Sequence, residues 1–155
     1  MFRTPASLFR TLAIAEAGSW TLLIAGLITR AITDWGPAVT ISGAIHGFVF
    51  LSYGATAVLV AKNQHWHPGV TAVAVISAVI PYATIPTELW VARTGRLRGA
   101  WRTSATEDPR EARWHDRAFR WLITHPALTG ALMVAAVVLL YVVLLILGPP
   151  VPKSA

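Results

Sequence analysis

Two side chains that can carry a proton or bind a ligand lie within stretches of this sequence that are otherwise apolar. Glu16 lies in the first stretch and His46 in the second. A charged side chain at the centre of a membrane-spanning helix costs about 2.5–3.5 kcal/mol on insertion scales, so it faces a partner or a cavity rather than lipid. A Glu–His pair in such a place suits proton exchange, ligand binding or metal ligation. These residues are therefore the first candidates for a functional site.

The elements that must position them are long apolar segments. The chain has 155 residues, of which 55% are hydrophobic and 13% are charged, and the charges are concentrated in a few regions. Four apolar runs lie between those regions, each with the roughly 20 residues that span about 30 Å of hydrocarbon. They cover residues 8–29, 38–61, 68–91 and 127–147. The sequence therefore predicts an all-α integral membrane bundle of four transmembrane helices, in which short connections make the first three helices antiparallel neighbours.

Glu16 and His46 are predicted to meet inside this bundle. Each lies eight residues into its helix, and because the helices run in opposite directions, their depths differ by only about 6 Å in a core of about 30 Å. Gly43 and Gly47 flank His46 at a spacing that lets another helix approach closely. Three interpretations stay open for the pair: polar contacts that only hold helices together, a proton or ligand site, and a metal site. The sequence predicts no metal, since two ligands are too few and the next carboxylate, Glu88, is expected at the far end of the third helix.

Two prolines, Pro81 and Pro86, interrupt the third segment. They remove two backbone donors within six residues, which predicts a kink with freed carbonyl groups. The alternatives are a broken helix that lines a binding site and a re-entrant hairpin covered by protein or water. Four full spans would place nine Lys and Arg residues inside and four outside, with both termini external. A re-entrant hairpin would instead place Arg3 and Arg10 on the same side as the arginine-rich loop.

That loop, residues 93–126, carries a further predicted helix. Asp108 followed by Pro109 is a favourable helix start. A basic stripe and a neighbouring apolar stripe follow, formed by Arg110, Arg113, Arg117 and Arg120, and by Trp114, Ala118, Trp121 and Leu122. We expect a basic amphipathic helix at the membrane interface, with its guanidinium groups among anionic lipid headgroups. Contact with a partner protein is the alternative, and nucleic acid is not expected.

Short motifs in residues 8–90 resemble a family of small bacterial integral membrane proteins, catalogued as a domain of unknown function with three spanning helices. The motifs are Phe9-Arg10, Ala15-Glu16, Ile45-His46-Gly47, Pro81-Tyr82 and Glu88. The resemblance implies a three-helix core whose hallmark polar positions are Glu16, His46 and Glu88, and it implies no activity. The expected organisation is a three-helix membrane core over residues 1–92, the arginine-rich loop 93–126 and a C-terminal transmembrane helix with its tail over residues 127–155.

The function expected from these features is non-enzymatic. The chain contains no cysteine, and its sequence shows no pairing of a nucleophile with a base. We expect an accessory or assembly component of a larger complex in the bacterial cytoplasmic membrane, without a cofactor. The alternative is a small proton-linked transporter or ligand-binding membrane protein that uses Glu16 and His46. Expected partners are a bilayer with anionic headgroups and either a larger membrane protein or further copies of the chain.

Overall fold

A computed structural model describes residues 4–104 and 114–147, and every regular element in these ranges is a helix. The helices are α1 (Pro5–Thr33), α2 (Pro37–Asn63), α3 (Pro68–Ile76), α4 (Thr84–Arg93), α5 (Trp114–Thr124) and α6 (Pro126–Leu147), with a short 3-10 helix (Ser77–Val79) after α3. This agrees with the all-α class predicted from the sequence.

Helices α1 and α2 begin and end at recognisable signals. The Thr4 side chain accepts a hydrogen bond from the backbone N–H of Ser7 at 3.1 Å, and Pro5 occupies the first helical position. Helix α1 ends at Asp34, whose φ of 55° is incompatible with a continuing helix, and Pro37 starts α2. The two helices have 29 and 27 residues and are long and apolar enough to cross a membrane.

Helices α1 and α2 approach each other closely at Gly26. A Cβ atom there would overlap the side chain of Ser42 and lie 2.8 Å from the carbonyl oxygen of Ala38. Gly26 therefore packs directly against a surface of small residues on α2.

The two glycines predicted to mediate helix packing have looser surroundings. A Cβ atom at Gly43 would lie 3.9 Å from Leu23 of α1, which is an ordinary contact. A Cβ atom at Gly47 would lie 3.4 Å from the ring of Tyr141 on α6. Gly43 thus faces α1 and Gly47 faces α6.

The kinked helix predicted over residues 68–91 is broken into separate helices, as in the alternatives that the sequence left open. Helix α3 and the 3-10 helix end at Val79, and α4 begins at Thr84. Pro81 lies in the break, and next to it Tyr82 has a φ of 63°, which is unfavourable for a bulky residue. Pro86 was also expected to kink this helix. It is instead the third residue of α4, where a missing N–H costs no helical hydrogen bond.

Both ends of this broken segment lie at the same end of the bundle. Trp66, just before α3, donates its Nε1–H to the carbonyl oxygen of Arg96, just after α4, at 2.8 Å. Asn63, the last residue of α2, donates from Nδ2 to the carbonyl oxygen of Ala100 at 3.3 Å. We call residues 68–93 the hairpin. The end of the bundle that holds Pro5, Asn63 and Arg96 is called the basic end.

The turn of the hairpin lies deep in the bundle, beside the middle of α1. Trp20 donates its Nε1–H to the carbonyl oxygen of Ala78 at 3.2 Å. Thr84 donates its hydroxyl to the carbonyl oxygen of Ala13 at 3.0 Å. The descending arm, residues 68–79, is about 18 Å long at the helical rise. The hairpin thus enters the bundle from the basic end, turns near the middle of the bundle and returns to the basic end.

Helix α5 also lies at the basic end, and α6 runs away from it. The Lys62 ammonium contacts the Asp116 carboxylate at 2.7 Å, and the Arg102 guanidinium lies 5.8 Å from the centre of the Phe119 ring. Helices α5 and α6 meet at a bend of 108° and would add a third candidate span if the pair were counted together. The two continuous candidate spans among the described residues are therefore α1 and α2.

The close contact at Gly26 makes a prediction about helix packing. We expect Gly26→Ala to destabilise the protein by about 1–3 kcal/mol, because the added methyl group meets Ser42 and a backbone oxygen. Gly18→Ala on the same helix is the matched control, since a Cβ atom at Gly18 meets no heavy atom within 4 Å. The control should gain about 0.5–1 kcal/mol from helix propensity. Thermal unfolding in detergent measures both, and equal stability of the two variants would contradict this packing.

Candidate functional site

Glu16 and His46 come together in the interior of the bundle. The Nδ1 atom of His46 lies 4.0 Å from Oε1 of Glu16, where the Glu16 side chain is 0% exposed and that of His46 is 12% exposed. Glu16 follows Phe9 and Ala13 along the buried face of α1, so a carboxylate continues a stripe that otherwise forms the apolar core. The two side chains therefore lie at similar depths in the bundle, as the helical rise predicts.

Ser19 connects the two helices at this point. Its hydroxyl donates to the carbonyl oxygen of Glu16 at 2.8 Å and lies 2.8 Å from Nδ1 of His46. The indole of Trp20 packs on the imidazole of His46, with 4.5 Å between ring centres. The imidazole is therefore held by a hydrogen bond on one side and an aromatic ring on the other.

The hairpin supplies a third wall of the site through Thr84, a residue that the sequence analysis did not single out. The hydroxyl of Thr84, the first residue of α4, lies 3.5 Å from Oε2 of Glu16. The N-terminal end of a helix favours negative charge, so α4 begins where a Glu16 carboxylate is placed favourably. Oε1 of Glu16 is buried and has no hydrogen-bond partner. We call Glu16, Ser19, His46 and Thr84 the polar cluster.

Glu88 is buried but does not complete a metal site. It is 7% exposed and lies one turn after Thr84 on α4. Among residues 4–104 and 114–147, no three His, Cys, Asp or Glu side chains are grouped so that they could hold a metal ion. His67 instead caps α3, because its Nδ1 accepts from the N–H of Gly69 at 3.2 Å. The arrangement supports proton or hydrogen-bond chemistry at the polar cluster better than metal binding.

Helix α5 presents a mixed surface at the basic end. Trp114 is 77% exposed and Trp121 is 52% exposed, and Arg117 is exposed beside them. Asp116, Phe119 and Ile123 form a buried face that the stripes read from the sequence did not include. Arg120 is partly buried, while Arg110, Arg113 and the predicted helix start at Asp108 and Pro109 lie outside the described residues.

Comparison with known proteins agrees with this architecture. Over 93 residues the chain is 42% identical to a Streptomyces coelicolor protein that carries the name of a putative membrane protein. The match covers 57% of this chain and 11% of that relative, so the chain spans much less than two thirds of the relative's length. No solved structure matches the chain.

The matched family covers the part of the chain that builds the polar cluster. Residues 6–93 match the family described as Domain of unknown function (DUF3817). This range contains α1 from its second residue, α2 and the whole hairpin, and it ends at the last residue of α4. It includes the motifs that indicated a family of unknown function from the sequence. The chain belongs to the DUF3817 family.

Proposed function

We propose that this protein is a multi-pass component of a bacterial cytoplasmic membrane that acts as a non-enzymatic accessory subunit of a larger membrane complex. In this proposal α1, α2 and α6 cross the membrane, and the hairpin re-enters it from the basic end. Helix α6 has 22 residues without a charged side chain, which is about 33 Å at the helical rise. Four full spans, as expected from the sequence, would require the hairpin to leave the bundle at the end opposite to its entry.

The distribution of charge supports this arrangement and gives it an orientation. Among the described residues, one cation, Arg30, lies near the turn between α1 and α2. Eight cations lie at or near the basic end: Arg10, Lys62, Arg93, Arg96, Arg98, Arg102, Arg117 and Arg120. Because cytoplasmic loops carry the excess of Lys and Arg, the basic end faces the cytoplasm.

The observation that carries the accessory role is the way this module occurs in the relative. There the matching region is 11% of the polypeptide, so the module is covalently attached to a much larger protein. In the relative, this module acts within one polypeptide together with other regions. As a separate chain, it is expected to bind separate partner proteins that correspond to those regions. The closed polar cluster, with Glu16 at 0% exposure, supports a structural use of that site.

A proton-linked transporter or ligand-binding protein is the second candidate. It is favoured by Oε1 of Glu16, which has no hydrogen-bond partner. It is also favoured by the turn of the hairpin, which lies at the same depth in the bundle as Glu16. Discontinuous helices that end near mid-depth form the binding sites of many transporters. In that case Glu16 and His46 exchange a proton, and movement of the hairpin opens the site.

The proposed topology predicts the accessibility of single cysteines, in a chain that has none of its own. We expect His67→Cys and Arg98→Cys, on either side of the hairpin, to resist a membrane-impermeant maleimide in whole cells and to react after lysis. Gly36→Cys, in the exposed turn at the other end, should react in whole cells. Four full spans would place positions 67 and 98 on opposite sides, so labelling of only one of them in whole cells would contradict the hairpin topology.

The accessory role predicts a companion of defined stoichiometry. The tagged chain, purified from its own bacterium in mild detergent, should have the native mass of a complex that contains a larger membrane protein in a fixed ratio. An unrelated tagged membrane protein of similar size, purified in the same way, controls for adventitious capture. Recovery of the chain only as a monomer or as a homo-oligomer would contradict the proposal.

Glu16→Gln distinguishes the two candidate functions. We expect this variant to lower stability and assembly, because the cluster holds α1, α2 and α4 together, while proton flux into vesicles stays equal to that of the unmodified protein. Glu88→Gln is the matched control, since it changes another buried carboxylate outside the polar cluster. A folded Glu16→Gln protein that has lost a proton flux shown by both the unmodified protein and the control would favour transport instead.

A further inference from the structure

We propose that a cavity between α2 and α6 binds one acyl chain of an anionic phospholipid from the leaflet at the basic end. The cavity has a volume of about 480 Å³ and is bounded by α1, α2, α5, α6 and the loop at residues 101–103. This site is separate from the polar cluster; it rests on the proposed membrane topology but not on the accessory role.

The dimensions of the cavity fit one lipid leaflet. Its lining begins at Leu59 and Trp101, near the basic end, and continues to Phe48 and Val137 deeper in the bundle. Along α2, the distance from Leu59 to Phe48 is about 16 Å at the helical rise. This is about half of a hydrocarbon core of about 30 Å. Phe48 is 39% exposed and Val134 is 53% exposed, so a chain can enter from the side that faces lipid.

A buried hydroxyl inside this apolar cavity indicates that the ligand carries an acceptor. Thr56 lines the cavity and is 0% exposed, and its Oγ1 has no hydrogen-bond partner. Buried hydroxyl groups are nearly always hydrogen-bonded in proteins. Rotation of the Thr56 side chain toward the cavity would let an ester carbonyl at the head of an acyl chain accept this bond, whereas a pure hydrocarbon would leave it unmade.

The end of the cavity near Leu59 and Trp101, which we call its mouth, is surrounded by the positive charge that an anionic headgroup requires. Arg102 lies between the lining residues Trp101 and Thr103, and Lys62 is one turn beyond Leu59 on α2. Lys62 is paired with Asp116, and the Arg102 guanidinium donates to the carbonyl oxygens of Lys62 and Asn63, so these three side chains together keep a net positive charge. Positive side chains at the membrane surface attract anionic lipids. The mouth also precedes residues 105–113, Ala-Thr-Glu-Asp-Pro-Arg-Glu-Ala-Arg, which contain no large apolar side chain that could fill the cavity.

Gly130→Leu tests the site by filling it. Gly130 lines the cavity, and a Cβ atom there meets no heavy atom within 4 Å, so the new side chain can occupy the cavity without a collision. Gly54→Leu on α2 is the matched control, because Gly54 also has no heavy atom within 4 Å of a Cβ and does not line the cavity.

The measurement is native mass spectrometry of the full chain in detergent, titrated with phosphatidylglycerol. The unmodified protein and Gly54→Leu should each retain one lipid, and Gly130→Leu should bind it at least tenfold more weakly. Equal retention by all three proteins would show that the lipid is bound elsewhere on the surface. Absence of a bound lipid on the unmodified protein would show that the cavity is empty or covered by another part of the chain. Either result would overturn the proposal.

Thr56→Val tests the hydrogen bond independently of any folding defect in Gly130→Leu. Loss of one such bond should weaken binding of phosphatidylglycerol by about three- to tenfold. The same change should raise the unfolding temperature of the lipid-free protein, because it removes a buried hydroxyl without a partner. Unchanged affinity in Thr56→Val would overturn the role of the ester. Equal affinity of the unmodified protein for phosphatidylcholine with the same chains would overturn the preference for an anionic headgroup.

Discussion

The rest of this structure depends on a helix that breaks inside the bundle. At Pro81 and Tyr82 the backbone leaves the helical conformation near mid-depth, where an unpaired backbone group is costly. The neighbouring helices provide partners for the freed carbonyl groups. Trp20 donates to the carbonyl oxygen of Ala78, and Tyr53 donates to that of Ala74 at 3.0 Å. The bonds that stabilise the break therefore also fix the hairpin against α1 and α2.

The polar cluster is a consequence of the same break. Because the chain turns back at this depth, the first residue of α4 faces the middle of α1, and Thr84 comes next to Glu16. A continuous third helix would have carried residue 84 past this level. Glu16 contacts groups from three helices, but one carboxylate oxygen has no hydrogen-bond partner. A polar atom without a hydrogen bond in a membrane interior lowers stability. Glu16 is therefore the position at which a structural role and a proton-handling role predict the most different results.

The sequence predicted the features that depend on local pattern. The two long apolar segments and the short turn between them were sufficient to place Glu16 near His46, since their depths follow from the helical rise. The return of the hairpin could not be predicted in the same way, because it depends on the contact between Trp66 and Arg96, which are 30 residues apart. Prolines within an apolar segment fit a kinked span and a hairpin equally well. The place of Thr84 in the site and the close contact of Gly26 with Ser42 were not predicted from the sequence. Both depend on which helices face each other in the fold.

The boundary of the family match separates two parts of the molecule. The match ends at residue 93, the last residue of α4, so α1, α2 and the hairpin form the shared core with its polar cluster. Helices α5 and α6 lie beyond the match. The apolar cavity exists only where these helices meet α1 and α2, since Ile123, Thr129 and Met133 line it together with Leu12 and Thr56. The polar cluster therefore lies within the part of the chain that matches the family, whereas a lipid site in this cavity would require the additional helices.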